Sequence, residues 1–354
     1  MAFTTINKST LHHNTKLFTG TGSNGNAITG VGFKPDLVWL KNRSGATAHV
    51  LVDALRGNNK VLNPDGTTAE TTTNANKDFK SFDSDGFTVD TNENFGSTNT
   101  NGANIASWNW KGANSSGSAN SDGSINSTVS ANTTAGFSIV QFVGNSTSGA
   151  TVGHGLGVAP KVVIIKSRDT AYSWRSYHAS LGATKYIELD ATGGYTTATN
   201  FMNNTAPTSS VFSLGNGDTP NKNGDNYIAY CFAEIKGYSK FGMYKGNSSL
   251  MGNTTHAPFI YTGFKPTTVI IKGTASSRDW YIWNNKNLGY NMENNELYPS
   301  DAGAEGTANK IGLMSNGFKL NHSGTGVNNN NEDYLYFAWG QSIVGSNNVP
   351  CTAR

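Results

Sequence analysis

A turn, a proline, an apolar run and a lysine occur three times in this chain at fixed spacing. The stretches are GFKPDLVWLKN from Gly32, GVAPKVVIIKS from Gly157 and GFKPTTVIIKG from Gly263. In each, the proline precedes the lysine by six residues, pairing Pro35 with Lys41, Pro160 with Lys166 and Pro266 with Lys272. Eight residues past the lysine a second segment begins, HVLVDALRG at His49, WRSYHASLG at Trp174 and WYIWNNKNLG at Trp280. Phe87, Phe212 and Phe318 each follow their proline by 52 residues. An Asn-rich turn and aromatic strand close each copy: NGANIASWNWKG from Asn101, NGDNYIAYCFAE from Asn223 and NNEDYLYFAWGQ from Asn330. Ahead of each copy stands an opening strand, KLFTGTG from Lys16, IVQFVGN from Ile139 and FGMYKGN from Phe241. Self-similarity with the same internal spacing in each copy implies one supersecondary unit used repeatedly.

The unit reads as β structure. Trp108 with Trp110, and Tyr230 with Phe232, alternate at the period of a strand burying one face. Leu37 to Leu40, Val162 to Ile165 and Val269 to Ile271 are continuously apolar, which predicts a central strand covered on both faces. Pro35, Pro160 and Pro266 mark strand starts, since proline has no N–H for a ladder. Sustained i, i+3, i+4 apolar spacing is missing, and 41 glycines with abundant Asn interrupt most windows of helical length. A short helical turn stays open only around Ala69 to Asp78.

The expected fold is all-β, with three repeated β-sandwich units of jelly-roll or lectin-like architecture. The expected boundaries are residues 1–111, 137–237 and 238–354. Residues 112–136, GANSSGSANSDGSINSTVSANTTAG, are almost free of apolar side chains and read as a flexible linker or long exposed loop. No such break separates the last two units, which predicts that they pack together, with strand sharing as one route.

Charge excludes some partners. Lys and Arg number 26 against 23 Asp and Glu, and a net charge of +3 gives no electrostatic case for nucleic acid or an anionic membrane. No apolar run reaches the length of about 18 residues that a spanning helix needs, and the N-terminus lacks the pattern of a signal peptide. Cys231 and Cys351 are expected as free thiols without a metal framework. No metal or cofactor is expected: His12 and His13 lack a third ligand at metal spacing, and His154 sits in a Gly-rich loop. DSDG at Asp83 to Gly86 reads as a turn, because the acidic spacing of a calcium loop is missing.

The recurrent residues divide into scaffold and candidate contacts. Pro35, Lys41, Phe87, Pro160, Lys166, Phe212, Pro266, Lys272 and Phe318 are read as scaffold. Each lysine is expected to carry its ammonium to solvent or to a nearby carboxylate. Trp174, Tyr177, Trp280, Tyr281 and Trp283 concentrate aromatic surface, and outward-facing members are candidate contacts for a sugar or another subunit. No catalytic residue is assigned: Glu188 with Asp190 and Glu293 with Glu296 are the nearest carboxylate pairs, neither recurs, and both are expected in exposed loops.

Several segments together resemble the repeat-containing tail-fibre-like or appendage proteins of marine bacteriophages that infect cyanobacteria and other ocean bacteria. The carriers are NTKLFTGTG from Asn14, VGFKPDLVWLKNR from Val31, DALRG from Asp53, SFDSDGFTVD from Ser81, FAEIKGYSKFG from Phe232, APFIYTGFKP from Ala257 and VGSNNVPCTAR from Val344. The chain departs from that pattern in NIASWNWKG, where a Tyr-Val-Ala-Trp strand is typical. The resemblance implies a virion structural protein made in the host cytoplasm, not an enzyme. It would be placed in a tail fibre, in another appendage such as a collar, or as decoration of the capsid. Expected partners are other virion proteins, further copies of the chain in a homotrimer, and a host surface glycan. A free-standing lectin-like module is the alternative.

Overall fold

Leu37 and Trp39 face one way from their strand and Val38 and Leu40 the other, and protein covers both sides. This strand is the centre of the first of three sheets that share one strand order. The computed structural model describes residues 4–74, 77–92, 96–250, 257–275, 277–287 and 295–345. Twelve strands are numbered here: β1 (His13–Thr19), β2 (Leu37–Asn42), β3 (Val50–Asp53), β4 (Asn104–Trp110), β5 (Phe137–Val143), β6 (Val162–Ser167), β7 (Arg175–His178), β8 (Asn226–Phe232), β9 (Ser239–Lys245), β10 (Lys265–Gly273), β11 (Trp280–Asn284) and β12 (Asp333–Gln341). The orders are β1-β4-β2-β3, β5-β8-β6-β7 and β9-β12-β10-β11, all antiparallel. In each, the opening strand pairs with the closing strand, which pairs with the proline–lysine strand.

A smaller sheet faces each of these and makes a β-sandwich. In the first it is Asn26–Thr29, Gly86–Val89 and Phe79–Asp83. In the second it is Ala150–Gly153 with Val211–Leu214, and in the third Phe259–Tyr261, Gly317–Leu320 and Ile311–Met314. Phe87, Phe212 and Phe318 are fully buried on these sheets and fill the three private cores. The DSDG segment is the turn between Phe79–Asp83 and Gly86–Val89. Gly86 is required there: its φ is +148°, and a Cβ would lie 1.9 Å from the Ile28 carbonyl oxygen.

The all-β expectation holds, and several local expectations need correction. Residues 112–136 are not structureless: Ser118–Asn120 and Ser127–Asn132 add two strands beside β5, extending the second sheet. The opening strand there offers an unpaired edge, and backbone hydrogen bonds satisfy it without needing apolar side chains; Val129 and Ile125 then reach the private core. The second and third sandwiches follow each other through residues 233–238 with no strand shared between their sheets. Pro35 and Pro160 precede their strands, whereas Pro266 lies inside β10, where the register slips between Pro266 and Thr268. The described part of 69–78 forms strand and loop; among the described residues the helical turns are Thr199–Met202, Asp218–Asn221 and a 3-10 turn at Ser9–Leu11.

The three large sheets turn their other faces toward each other. Leu37, Trp39 and Trp108, then Val162, Ile228 and Tyr230, then Ile270, Leu335 and Phe337 all belong to one apolar cluster. At its centre lie Trp110, Phe232 and Trp339, which occupy the same register position opposite Leu37, Val162 and Thr268. Their ring centroids are 6.2 Å (Trp110 to Phe232), 5.4 Å (Phe232 to Trp339) and 5.5 Å (Trp339 to Trp110) apart, closing a triangle. The chain therefore has a pseudo-threefold axis through a shared core, and each central strand is buried because its neighbours cover it.

Candidate functional site

The shared core is bounded by three junctions built from corresponding positions. A strand alternates faces every residue, so Lys41 lies on the face of Leu37 and Trp39, Lys166 on that of Val162 and Ile164, and Lys272 on that of Ile270. All three lysines are fully buried at the rim of the core. Lys41 Nζ donates to the carbonyls of Asn42 (3.0 Å), Gly45 (3.2 Å), Thr47 (2.8 Å) and Ala302 (2.9 Å). Lys272 Nζ donates to the Thr192 carbonyl at 3.0 Å and to that of Arg278, and Lys166 Nζ to those of Ser167 (2.8 Å) and Thr170 (3.2 Å). Two of the ammonium groups thus join neighbouring sandwiches. The lysines do not reach solvent, and among the described residues none makes a carboxylate ion pair; backbone carbonyls meet them inside.

Burial pushes each of these lysines down to about 8, which leaves it mainly protonated at neutral pH, and the protonated ammonium is held by backbone carbonyls. Lys41→Met would remove a costly buried charge but strand up to four carbonyls. The net expectation is a loss of about 1–3 kcal/mol, read as a lower urea midpoint with unchanged slope.

Eight residues beyond each lysine, a ring N–H crosses the junction. Trp174 Nε1 donates to the Asn63 carbonyl and Trp280 Nε1 to the Glu188 carbonyl, both at 2.9 Å. His49 Nδ1 accepts from Trp39 Nε1 at 2.8 Å, so the proton is on Nε2, which donates to the Tyr298 carbonyl at 3.0 Å. The direction is cyclic: second to first, third to second, first to third. Backbone bonds cross the same junctions in the opposite sense, from Glu70 N to Arg168 O (2.8 Å), Tyr195 N to Thr274 O (3.3 Å) and Glu305 N to Arg43 O (3.0 Å). Arg43 binds Glu305 through two bonds of 2.8 and 2.7 Å, and Arg168 binds Glu70 at 2.8 and 2.9 Å. The third junction carries Thr274 and Tyr195 at these positions and has no such ion pair. A buried group at the first junction adds Arg56 to Asp53 (2.5 Å) and Tyr230 Oη to Asp53 (2.7 Å).

These contacts correct the aromatic assignment. Trp174, Tyr177, Trp280, Tyr281 and Trp283 are all buried. Trp174 and Trp280 belong to the shared core, Tyr177 to the second private core, and Tyr281 and Trp283 to the third. They meet neighbouring sandwiches of the same chain, or their own core, and present no face to a ligand. The carboxylate pairs are also structural. Asp190 accepts from Trp174 N, the half-buried Glu188 carboxylate ends the strand Lys185–Glu188 and pairs with Arg175 at 3.7 Å, and Glu296 is buried against Lys310 and Tyr298 instead of lying in an exposed loop. Glu293 lies outside the described residues. Cys231 is a buried free thiol that burial pushes up to about 12, and Cys351 lies outside the described residues.

On the axis the core leaves a cavity of about 30 Å³, lined by apolar side chains including Trp39, Trp110, Phe232 and Trp339. That is room for roughly one or two water-sized spheres and no organic ligand. Among the described residues no group of three or more His, Cys, Asp or Glu is placed to hold a metal. No helix among them is long and apolar enough to cross a membrane. Sequence reasoning missed the exposed Phe259 and Tyr261 on the outer face of the third sandwich. Counting back from Phe87, Phe212 and Phe318 sets Phe259 against Ile28 and Gly153, so the sequence spacing hides them; only the strand register sets the pair opposite small or polar residues of the other copies.

Residues 8–342 match the model of a domain of unknown function, DUF7483. No curated protein and no solved structure matches the chain.

Proposed function

We propose for this chain, which belongs to the DUF7483 family, a non-enzymatic role as a structural protein of a bacteriophage particle. It would be a tail-fibre or other appendage protein that offers outer faces for host-surface recognition. The observation that carries this reading is the fate of its polar groups. The recurrent lysines, the tryptophan N–H groups and two Arg–Glu pairs are spent on closing three sandwiches around one core. Such a body holds its shape without a ligand and is suited to carrying loops.

The segments that resemble phage appendage proteins support the same reading. VGFKPDLVWLKNR supplies β2, Lys41 and Arg43 of a junction, DALRG supplies Asp53 and Arg56, and FAEIKGYSKFG runs from the second sandwich into the third. These three segments of the resemblance fall on pieces that join the sandwiches. Assembly with other virion proteins, and further association into a homotrimer, belong to this proposal.

Gold-labelled antibody against the purified chain, applied to intact particles, tests the placement. The expected result is label on tail appendages. Label confined to the head would overturn the appendage role in favour of capsid decoration, and particles free of label and of the chain by mass spectrometry would overturn the virion reading.

A further inference from the structure

The three copies serve as internal controls for one another. In the smaller sheet of the third sandwich, Phe259 pairs with Lys319, Ile260 with Phe318 and Tyr261 with Gly317. In the first, Ala27, Ile28 and Thr29 pair with Thr88, Phe87 and Gly86, and in the second, Thr151, Val152 and Gly153 pair with Ser213, Phe212 and Val211. Ile28, Val152 and Ile260 all point into a private core. The flanking positions point away from that core, and there the copies diverge: Ala27 and Thr29, then Thr151 and Gly153, the latter covered by Asn120, then Phe259 and Tyr261. The two aromatic rings are 46% and 56% exposed. The scaffold does not need them, since the same strand forms twice without them.

Local geometry holds both rings along the surface. Residues two apart on a strand share a face at about 6.6–6.8 Å. A Cβ on Gly317 would come within 2.9 Å of Phe259 Cζ, so that ring lies over a glycine floor. Lys240 Nζ donates to the Tyr261 carbonyl at 2.9 Å and sits 5.4 Å from the Tyr261 ring centroid. Beside Tyr261 runs an open groove of about 360 Å³, whose lining includes Glu234, Lys236, Lys240 and Thr262. Among the described residues, Lys236 and Lys240 with Glu234 line the groove, and Lys319 pairs with Phe259 in the strand register.

We propose that this face binds an anionic polysaccharide, with sugar rings stacked on Phe259 and Tyr261 and carboxylate or sulfate groups drawn to Lys240 and Lys319. Flat rings offer an apolar surface to the C–H face of a pyranose, and the lysines select chains that carry negative charge. The groove volume falls at the lower end of the range of about 300–1,000 Å³ for small-molecule sites. This deepens the host-recognition part of the proposed function, and it stands or falls separately from where the chain sits on a particle.

The test titrates the full-length chain with a polyuronate, with dextran sulfate and with neutral dextran at moderate salt, by calorimetry. Binding of at least one anionic polymer and not of neutral dextran is expected, and the polyuronate and sulfate arms distinguish the two sources of charge. Phe259→Ser with Tyr261→Ser should weaken binding about tenfold or more with an unchanged melting temperature. Thr29→Ala, at the matching position of the first sandwich, should leave it unchanged. Equal binding by native and double variant would show simple charge attraction and overturn the site, as would binding of neither anionic polymer. Concentration-dependent association of the native chain that the double variant abolishes, without saccharide binding, would make this face a protein interface and overturn it as well. Particle labelling reads location alone, so either result can fail without the other.

Discussion

Acidification from pH 7 to pH 5 is expected to lower the melting temperature by about 5 °C, because three histidines are buried at or beside the junctions in neutral form. Burial pushes His13 and His49 from 6.5 down to about 3 and His178 down to about 4. His13 Nδ1 donates to the Asn109 carbonyl, and its Nε2 accepts from the Thr268 hydroxyl of the third sandwich at 2.8 Å. His178 meets the Phe337 ring edge-on across another junction, and the Tyr336 carbonyl lies nearby. Folded values below the unfolded 6.5 mean that the unfolded chain binds more protons between about pH 6.5 and 3. Stability is therefore present above 6.5 and lost as pH falls through that window.

At pH 5 each histidine has forfeited about 2 kcal/mol. Asp65 works in the opposite sense: burial pushes it up to about 6, so it gains stability on acidification between about 6 and 3.8. Asp36, Asp190 and Glu188, also raised by burial, add to that offset. The net loss is on the order of 3–5 kcal/mol. Thermal melts at pH 7, 6 and 5 check it, and His49→Gln, which keeps a donor for the Tyr298 carbonyl, should flatten the slope by about half. A melting temperature that stays level or rises on acidification would contradict the buried neutral assignment.

Trp110→Ala should cost about 3–5 kcal/mol, because this buried side chain of the first sandwich lies where the three sandwiches meet. Its ring meets His13 at 4.6 Å, Trp339 at 5.5 Å, Phe232 at 6.2 Å and Phe137 at 6.5 Å, so its neighbours come from all three sandwiches. Removing it enlarges the apolar cavity on the axis, and three sheets held by strand ladders cannot collapse to fill it. Hydrogen exchange should show protection falling in strands β2, β6 and β10 alike. A loss confined to β2 and its partners would mean that the cores are independent. Trp110→Phe, which keeps the apolar contact and loses volume, should cost less than half as much.

The strands themselves were readable because period two and three aligned copies gave both their position and their buried face. Lys41, Lys166 and Lys272 were placed at strand ends correctly and oriented wrongly. A pattern within one copy says which residues share a face, but it carries no information about what covers that face. Once neighbouring sandwiches cover it, a lysine at the rim meets carbonyls instead of water. The same reason explains Trp174 and Trp280, which looked surplus to a single sandwich and are needed by three. Residues 112–136 were misread from composition, since Ser and Asn can form an edge strand whose stability lies in backbone bonds. Phe259 and Tyr261 escaped notice because their strand is three residues long and only the contrast with Thr29 and Thr151 sets them apart.

The shared core makes one cooperative body of three sandwiches, and differential scanning calorimetry of the intact chain tests that most directly. The expected result is a single transition whose calorimetric and van't Hoff enthalpies agree; two or three separable transitions would contradict it.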